Sequence, residues 1–395
     1  MHLIKKMGLV PFILLSGYMI DPMHYGFIFG YFLLIYLVFL GKDIFQLTDK
    51  SSTVLLLFSL IYATFYAFDP TSGIQYIGIY AVFPFSFYLL GKHISSKFKD
   101  SNDLSNLFLI IAVIYSSIAL ISVLSNIINY GFIALDRDVP SIWGNTQNAT
   151  GTAVYLFANM CIPAILLFSF KTRKKLYNII LIAIYIASIA CVLRLGSRTQ
   201  IIISLLTLIA SILFLFTSVS AKNKILIVIG VLVITNVVIS YLNLDFNSDL
   251  LSAYAGRMES KEYGAATAGG RTQRWALSIE YLFKEPLGWN VKEFGLSHNL
   301  WLDVARTGTI ISFILLIIYT IISLKNTFGL LQNKLENLAF KNQVLVYTMG
   351  FMLQFFVEPI MEGSLELFTF FCMFQGAING RIKTLESITT DDHTI

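Results

Sequence analysis

LSNLFLIIAVIYSSIALISVLSNI, residues 104–127, runs without one charged side chain. About 20 apolar residues wound as a helix cross the ~30 Å hydrocarbon core of a bilayer, so this stretch reads as a membrane span. Working outward from it, further runs of about 17 to 25 residues lie near 4–20, 24–41, 52–68, 74–91, 150–170, 176–193, 198–217, 225–241, 299–324, 344–358 and 364–380. The expected fold is an all-α integral membrane protein of about 12 transmembrane helices, one polytopic domain over residues 1–395. Composition agrees: 56% of the residues are hydrophobic and only 13% charged, far from a soluble domain.

Once the spans are laid end to end, the two cations separate. Sixteen of the nineteen lysines fall on one alternating set of loops, and seven of the nine arginines on the other. The positive-inside bias makes the lysine loops cytoplasmic, with both termini on that side. The formal charge of +5 is explained by those lysines, and no nucleic-acid partner is read into it. Arg137, Arg194, Arg198, Arg257, Arg271, Arg274 and Arg306 stand on the other side, where topology disfavours cations. Guanidinium kept there suggests binding of carboxylate or phosphate, which it grips bidentately.

The first apolar run follows Lys5 and Lys6 but precedes no small-x-small cleavage site. With Asp21 and Pro22 as a turn, it reads as the first arm of a transmembrane hairpin. Cys161, Cys191 and Cys372 each lie inside an apolar span and read as core residues. Two outer loops are long, 128–149 and 242–297, and the second has the composition of soluble protein. Within it, Arg271 to Glu285 reads as an amphipathic helix with Trp275, Ile279, Leu282 and Phe283 on its buried stripe and Pro286 ending it.

Three outward helix starts share a pattern: Gly196-Ser197-Arg198, Gly269-Gly270-Arg271 and Ser297-His298-Asn299. Each presents free N–H groups and a positive dipole end to the outer surface, where phosphate binds readily. Arg198 and Arg271 add guanidinium to two of them. At the third, the positive helix end disfavours imidazolium and leaves His298 able to accept a proton, as a general base must. Asp303 and Arg306, three residues apart on the same helix, are expected to pair with each other; alternatively Asp303 orients Asn299. Trp275, Trp289 and Trp301 are candidates for stacking on sugars, against the ordinary gathering of Trp at membrane interfaces. Arg194, Arg257 and Arg274 are second-rank anion ligands. Asp136-Arg-Asp138 has a metal-binding spacing that arises easily by chance, and no metal or cofactor is assigned. Asn148-Ala-Thr150 reads as a helix start.

Leu195-Gly-Ser-Arg-Thr-Gln200, Gly270-Arg271 with Trp275 and Pro286-Leu-Gly288, and Ser297-His-Asn-Leu-Trp-Leu-Asp303 followed by Gly308 together resemble the bacterial O-antigen polymerase and O-antigen ligase superfamily. The resemblance implies an inner-membrane, metal-independent, inverting glycosyltransferase with its active site facing the periplasm. Its donor and acceptor would be undecaprenyl-pyrophosphate-linked oligosaccharides in membrane lipid, with a chain-length regulator protein as a further partner. Carried over by motif, Arg198 and Arg271 hold the pyrophosphate and His298 takes the proton of the acceptor hydroxyl. Arg194, Arg257, Arg274, Asn299, Trp275, Trp301 and Asp303 are candidate substrate-binding residues on the reading of the helix starts and the loop helix. The Ser-His-Asn-x-Trp-Leu-Asp form is closer to the polymerases; a ligase that transfers the glycan to lipid A core is the alternative. A lipid-linked oligosaccharide flippase is a third reading, set against the scarcity of charge at mid-span.

Overall fold

The computed structural model describes residues 2–41, 44, 46–132, 137–169, 173–216, 253, 270–290 and 295–392. Of these residues 81% are helical. The two strands among them, Val139–Pro140 and Thr146–Gln147, pair antiparallel as a small hairpin. Among the described residues, five helices are long and apolar enough to cross a membrane: Gln75–Lys97, Ser101–Tyr130, Lys175–Leu195, Arg198–Phe216 and Leu300–Gln332. Leu9–Ile20, Gly26–Phe39 and Lys50–Tyr66 are shorter apolar helices. The run expected near 225–241 and Arg257 lie outside the described residues.

The centre of the bundle is the pair Gln75–Lys97 and Leu365–Asp392. A Cβ on Gly91 would fall 1.8 Å from the Met373 carbonyl oxygen, and one on Gly376 would fall 2.0 Å from that of Tyr88. Glycine at both positions lets the two backbones touch, the means by which helices associate where apolar surface alone does not select a partner. Around this seam Phe371 packs edge to face on Phe351 and on Phe355, the arrangement that aromatic quadrupoles favour, and Phe368 lies tilted against Phe355. Where lysines collect, buried charges meet partners: Lys92 pairs with Asp49, the capping residue of Lys50–Tyr66, and Arg381 donates to Glu336 at 2.6 Å.

Two expected spans differ in detail. The run near 150–170 is three short helices, Ala149–Val154, Phe157–Met160 and Ile162–Ser169. Asn148 caps the first by accepting from Gly151 N–H at 2.6 Å, the role read from its sequence. Leu300–Gln332 is broken at Thr309, whose φ of 73° and ψ of 170° lie in a region that only glycine visits freely. Trp301 Nε1 donates to Thr320 Oγ1 at 3.2 Å. In a straight helix those residues would stand about 28 Å apart along the axis, at ~1.5 Å per residue, so the limb 300–308 folds back along the limb 310–332.

The break frees backbone groups, and the Pro-Leu-Gly segment satisfies them. Ile310 N–H donates to Pro286 O at 2.9 Å, and Trp289 N–H donates to Arg306 O at 3.2 Å. Gly288, at φ 108°, comes so close that a Cβ would lie 2.4 Å from Arg306 O. The start that carries His298 is therefore not the outer end of a straight tenth span, as the sequence suggested. It is the head of a short buried limb that runs back against that span.

Candidate functional site

The helix Arg271–Lys284 begins after Gly270, whose φ of 79° turns the chain. Its inward face differs from the expected stripe. Ser278 and Leu282 are buried, whereas Ile279 and Phe283 are exposed. The face that packs is Arg271, Arg274, Trp275, Ser278 and Leu282, rotated by part of a turn because polar groups there find partners that apolar ones would not. Arg274 Nη1 donates to Leu296 O at 3.2 Å and Trp275 Nε1 to Ser297 O at 2.9 Å. Two side chains of this helix thus hold the two residues that lead into His298.

Asp303 holds the loop from the other side. Its Oδ1 accepts from Ser297 N–H and Ser297 Oγ, both at 2.8 Å, and its Oδ2 accepts from Asn299 N–H at 3.1 Å. The expected pairing of Asp303 with Arg306 is therefore replaced by a clasp on Ser297 and Asn299, which agrees with the alternative that Asp303 orients Asn299. Four residues of helical rise put this carboxylate under the N–H groups that a helix start leaves unsatisfied. Asn299 caps the same start through Oδ1, which accepts from Leu302 N–H at 3.2 Å, and its Nδ2 donates to Phe356 O at 3.4 Å. His298 lies between two residues so held, with φ 56°.

Its imidazole faces Glu358, the residue that ends the helix Leu338–Val357. His298 Nδ1 is 3.9 Å from Glu358 Oε2, an ion-pair distance longer than a hydrogen bond, while Arg271 Nη2 donates to Glu358 Oε1 at 3.1 Å. The Glu358 side chain is only 4% exposed, whereas those of His298 and Arg271 are 27% and 18% exposed. A buried carboxylate thus backs an imidazole and a guanidinium that both reach the surface. With Nδ1 turned toward Glu358, Nε2 is the nitrogen left for a substrate proton. One of the guanidinium's five N–H donors is used here, and the fork retains others for an anion.

Arg306 pairs with Glu362, four residues beyond Glu358, and Thr307 Oγ1 donates to the same carboxylate at 3.2 Å. Burial raises the Glu362 carboxyl above its ordinary range, against the pull of the Arg306 guanidinium.

The other sequence candidates are placed as follows. Arg198 is the half-buried first residue of Arg198–Phe216. Arg194 is buried in the last turn of the preceding helix, which closes at Gly196 with φ 59°. Arg137 donates to Leu195 O through Nε at 2.9 Å and Nη2 at 2.7 Å, so its guanidinium caps the end of that helix. Arg198 and Arg194 thus belong to this capped turn, separate in the chain from the elements that converge on Glu358. Trp301 is buried against Phe355 and Phe356, and Trp289 packs on Tyr281. Asp138 accepts from Ala149 N–H at 2.9 Å and holds a helix start; Asp136 lies outside the described residues. Among the described residues no group of three or more His, Cys, Asp or Glu is placed to hold a metal ion.

Glu358, Glu362 and Glu366 are what the sequence reading missed. They recur every four residues in Glu358-Pro-Ile-Met-Glu-Gly-Ser-Leu-Glu366, on the arginine side of the last hairpin. Counting outward carboxylates as well as outward cations would have found them. No protein-family model matches this chain, and no curated protein sequence matches it.

Proposed function

We propose that this protein is a polyprenyl-pyrophosphate-dependent glycosyltransferase of the O-antigen polymerase kind, with about 12 spans, both termini cytoplasmic and its site facing the periplasm. The single observation that carries the reading is the Glu358 carboxylate, which gathers Arg271 and His298, the two residues whose sequence motifs point to pyrophosphate binding and proton transfer. In the proposed step the acceptor hydroxyl gives its proton to His298 Nε2 as its oxygen bonds the anomeric carbon. The bond from that carbon to the pyrophosphate oxygen breaks, and its electron pair leaves on the pyrophosphate. Glu358 stabilises the imidazolium so formed. Arg271 meets charge that grows on the leaving group, where a fixed donor contributes most, and Arg198 is given the same role on its sequence motif alone.

The experiment is to delete the gene and separate the cell's lipopolysaccharide on a gel. Core bearing a single repeat unit supports the polymerase; bare core with lipid-linked polymer accumulating makes it a ligase. An unchanged ladder with another surface polysaccharide lost keeps the chemistry and changes the product. An unchanged ladder with no polysaccharide lost refutes the proposal.

The break at Thr309 favours a second reading, since interrupted helices also mark transporters of lipid-linked oligosaccharide. That reading requires His298→Ala to keep glycan transfer intact while translocation fails.

A further inference from the structure

A cavity of about 290 Å³ opens beside the glutamate-bearing segment, lined among others by Asp21, His24, Gln147, Tyr155, Glu362 and Glu366. It joins three elements far apart in the chain: the turn between Leu9–Ile20 and Gly26–Phe39, the end of the strand Thr146–Gln147, and the start of Leu365–Asp392. Its volume is near the lower end of ligand sites, roughly 300–1,000 Å³. Glu362 is four residues from Glu358, which limits their separation to about 14 Å. The cavity therefore lies within reach of a ligand that extends from the His298 loop.

The lining polar groups have a consistent chemistry. Asp21 and Glu366 accept hydrogen bonds, Gln147 both donates and accepts, and Tyr155 donates to Glu366 Oε2 at 3.2 Å while offering an apolar ring. His24 Nδ1 stands 3.1 Å from Asp21 Oδ2, and the other Asp21 oxygen accepts from Gly26 N–H at 2.7 Å, which holds the turn at the cavity rim. The carboxylates are spread round the walls and are not gathered as metal ligands would be. Three carboxylates against the imidazole of His24 and the guanidinium on Glu362 give the cavity no attraction for an anion. A polyhydroxylated ligand, which donates and accepts at every carbon and carries no negative charge, fits such walls.

We propose that this cavity is a saccharide subsite for neutral or amino sugars, with Glu366, Gln147 and Asp21 as direct ligands. It rests on the glycosyltransferase reading above. In it the substrate is sorted by charge, pyrophosphate toward Arg271 and His298 and sugar rings toward Glu366.

The test is binding of the free repeat-unit oligosaccharide, released by mild acid from the lipid-linked pool of the same cells, to the full-length protein in lipid nanodiscs, followed by saturation-transfer NMR. Wild type should bind it, and Glu366→Gln and Gln147→Ala at least tenfold more weakly, with unfolding temperatures like that of wild type. Wild-type affinity in both cavity variants overturns the subsite, as does the absence of binding to wild type. Transfer activity of His298→Ala is read in parallel. If that variant makes polymer at the wild-type rate, the His298 base assignment on which the proposed mechanism stands fails; if it makes none while the cavity variants bind normally, that reading stands and only the subsite falls.

Discussion

Arg271 and His298 meet on opposite oxygens of one carboxylate: Arg271 Nη2 donates to Glu358 Oε1 at 3.1 Å, and His298 Nδ1 stands 3.9 Å from Oε2. They come from different segments, the loop helix and the head of the broken helix. The carboxylate that joins them is buried, so its charge acts across a medium less screening than water.

Glu358→Gln keeps the shape and removes the charge that faces both residues. Glycan transfer should fall by about 100-fold or more, since a positioned general base contributes about 10²–10⁴. Initial rates of lipid-linked product in membranes with matched protein levels measure this; a rate within threefold of wild type rules out a role for Glu358.

Arg271→Ala should lower transfer by about 10²–10³, the usual loss for one donor to a developing anion. Arg271→Lys should recover little, because an ammonium cannot donate to Glu358 and to an anion in one fixed plane. Equal activity of the Lys variant and wild type in the same membrane assay would remove the bidentate role.

Asp303→Ala leaves three donors at Ser297 and Asn299 without their acceptor. Hydrogen bonds to a charged group contribute about 1.5–3 kcal/mol each, so the unfolding temperature and the transfer rate should both fall. Asp303→Asn, with one good acceptor oxygen, should fall between. Thermal unfolding in detergent orders the three proteins, and an unchanged midpoint for Asp303→Ala counts against the clasp.

Glu362 yields a pH dependence. Its folded-state carboxyl lies above the ordinary 4.5 because of burial, so between those two values the folded protein binds more protons than the unfolded chain. Its contribution to stability is therefore greatest below about 4.5 and declines as pH rises through the folded value. Chemical unfolding from pH 4 upward should show this decline in wild type and a flatter profile in Glu362→Gln; parallel profiles contradict it.

Gly91→Ala puts a methyl group 1.8 Å from the Met373 carbonyl oxygen, and that atom is backbone, so the helices must part. Overpacking of this kind typically costs about 1–3 kcal/mol. The unfolding midpoint should drop well below that of Gly329→Ala, where a Cβ meets nothing within 4 Å.

Much of this was legible in the chain. Uncharged runs such as 104–127 demand helices, because backbone polar groups inside a bilayer have no water to bond and must pair within the segment. The hairpin turn at Asp21, the helix that starts at Arg271 and the cap at Asn148 are local events, written in a few neighbouring residues. The same holds for the choice of Arg271 and His298 as candidates, since an arginine on an arginine-bearing loop and a histidine at a helix start are visible in the order of residues.

Contacts between distant segments belonged to the tertiary structure alone. The break at Thr309 has no proline to announce it; it forms because Pro286 and Trp289, from another segment, satisfy the backbone groups that the break frees. The loop helix turns Arg274 and Trp275 inward, and not Ile279 and Phe283, because the carbonyls of Leu296 and Ser297 are there to receive them. Asp303 joins Ser297 and Asn299 where spacing suggested Arg306, since a folded loop offers it three donors at once. Glu358 stands out in sequence only as one of three glutamates spaced four apart, with nothing to say what it faces. Only the fold, by burying it between Arg271 and His298, makes its charge count.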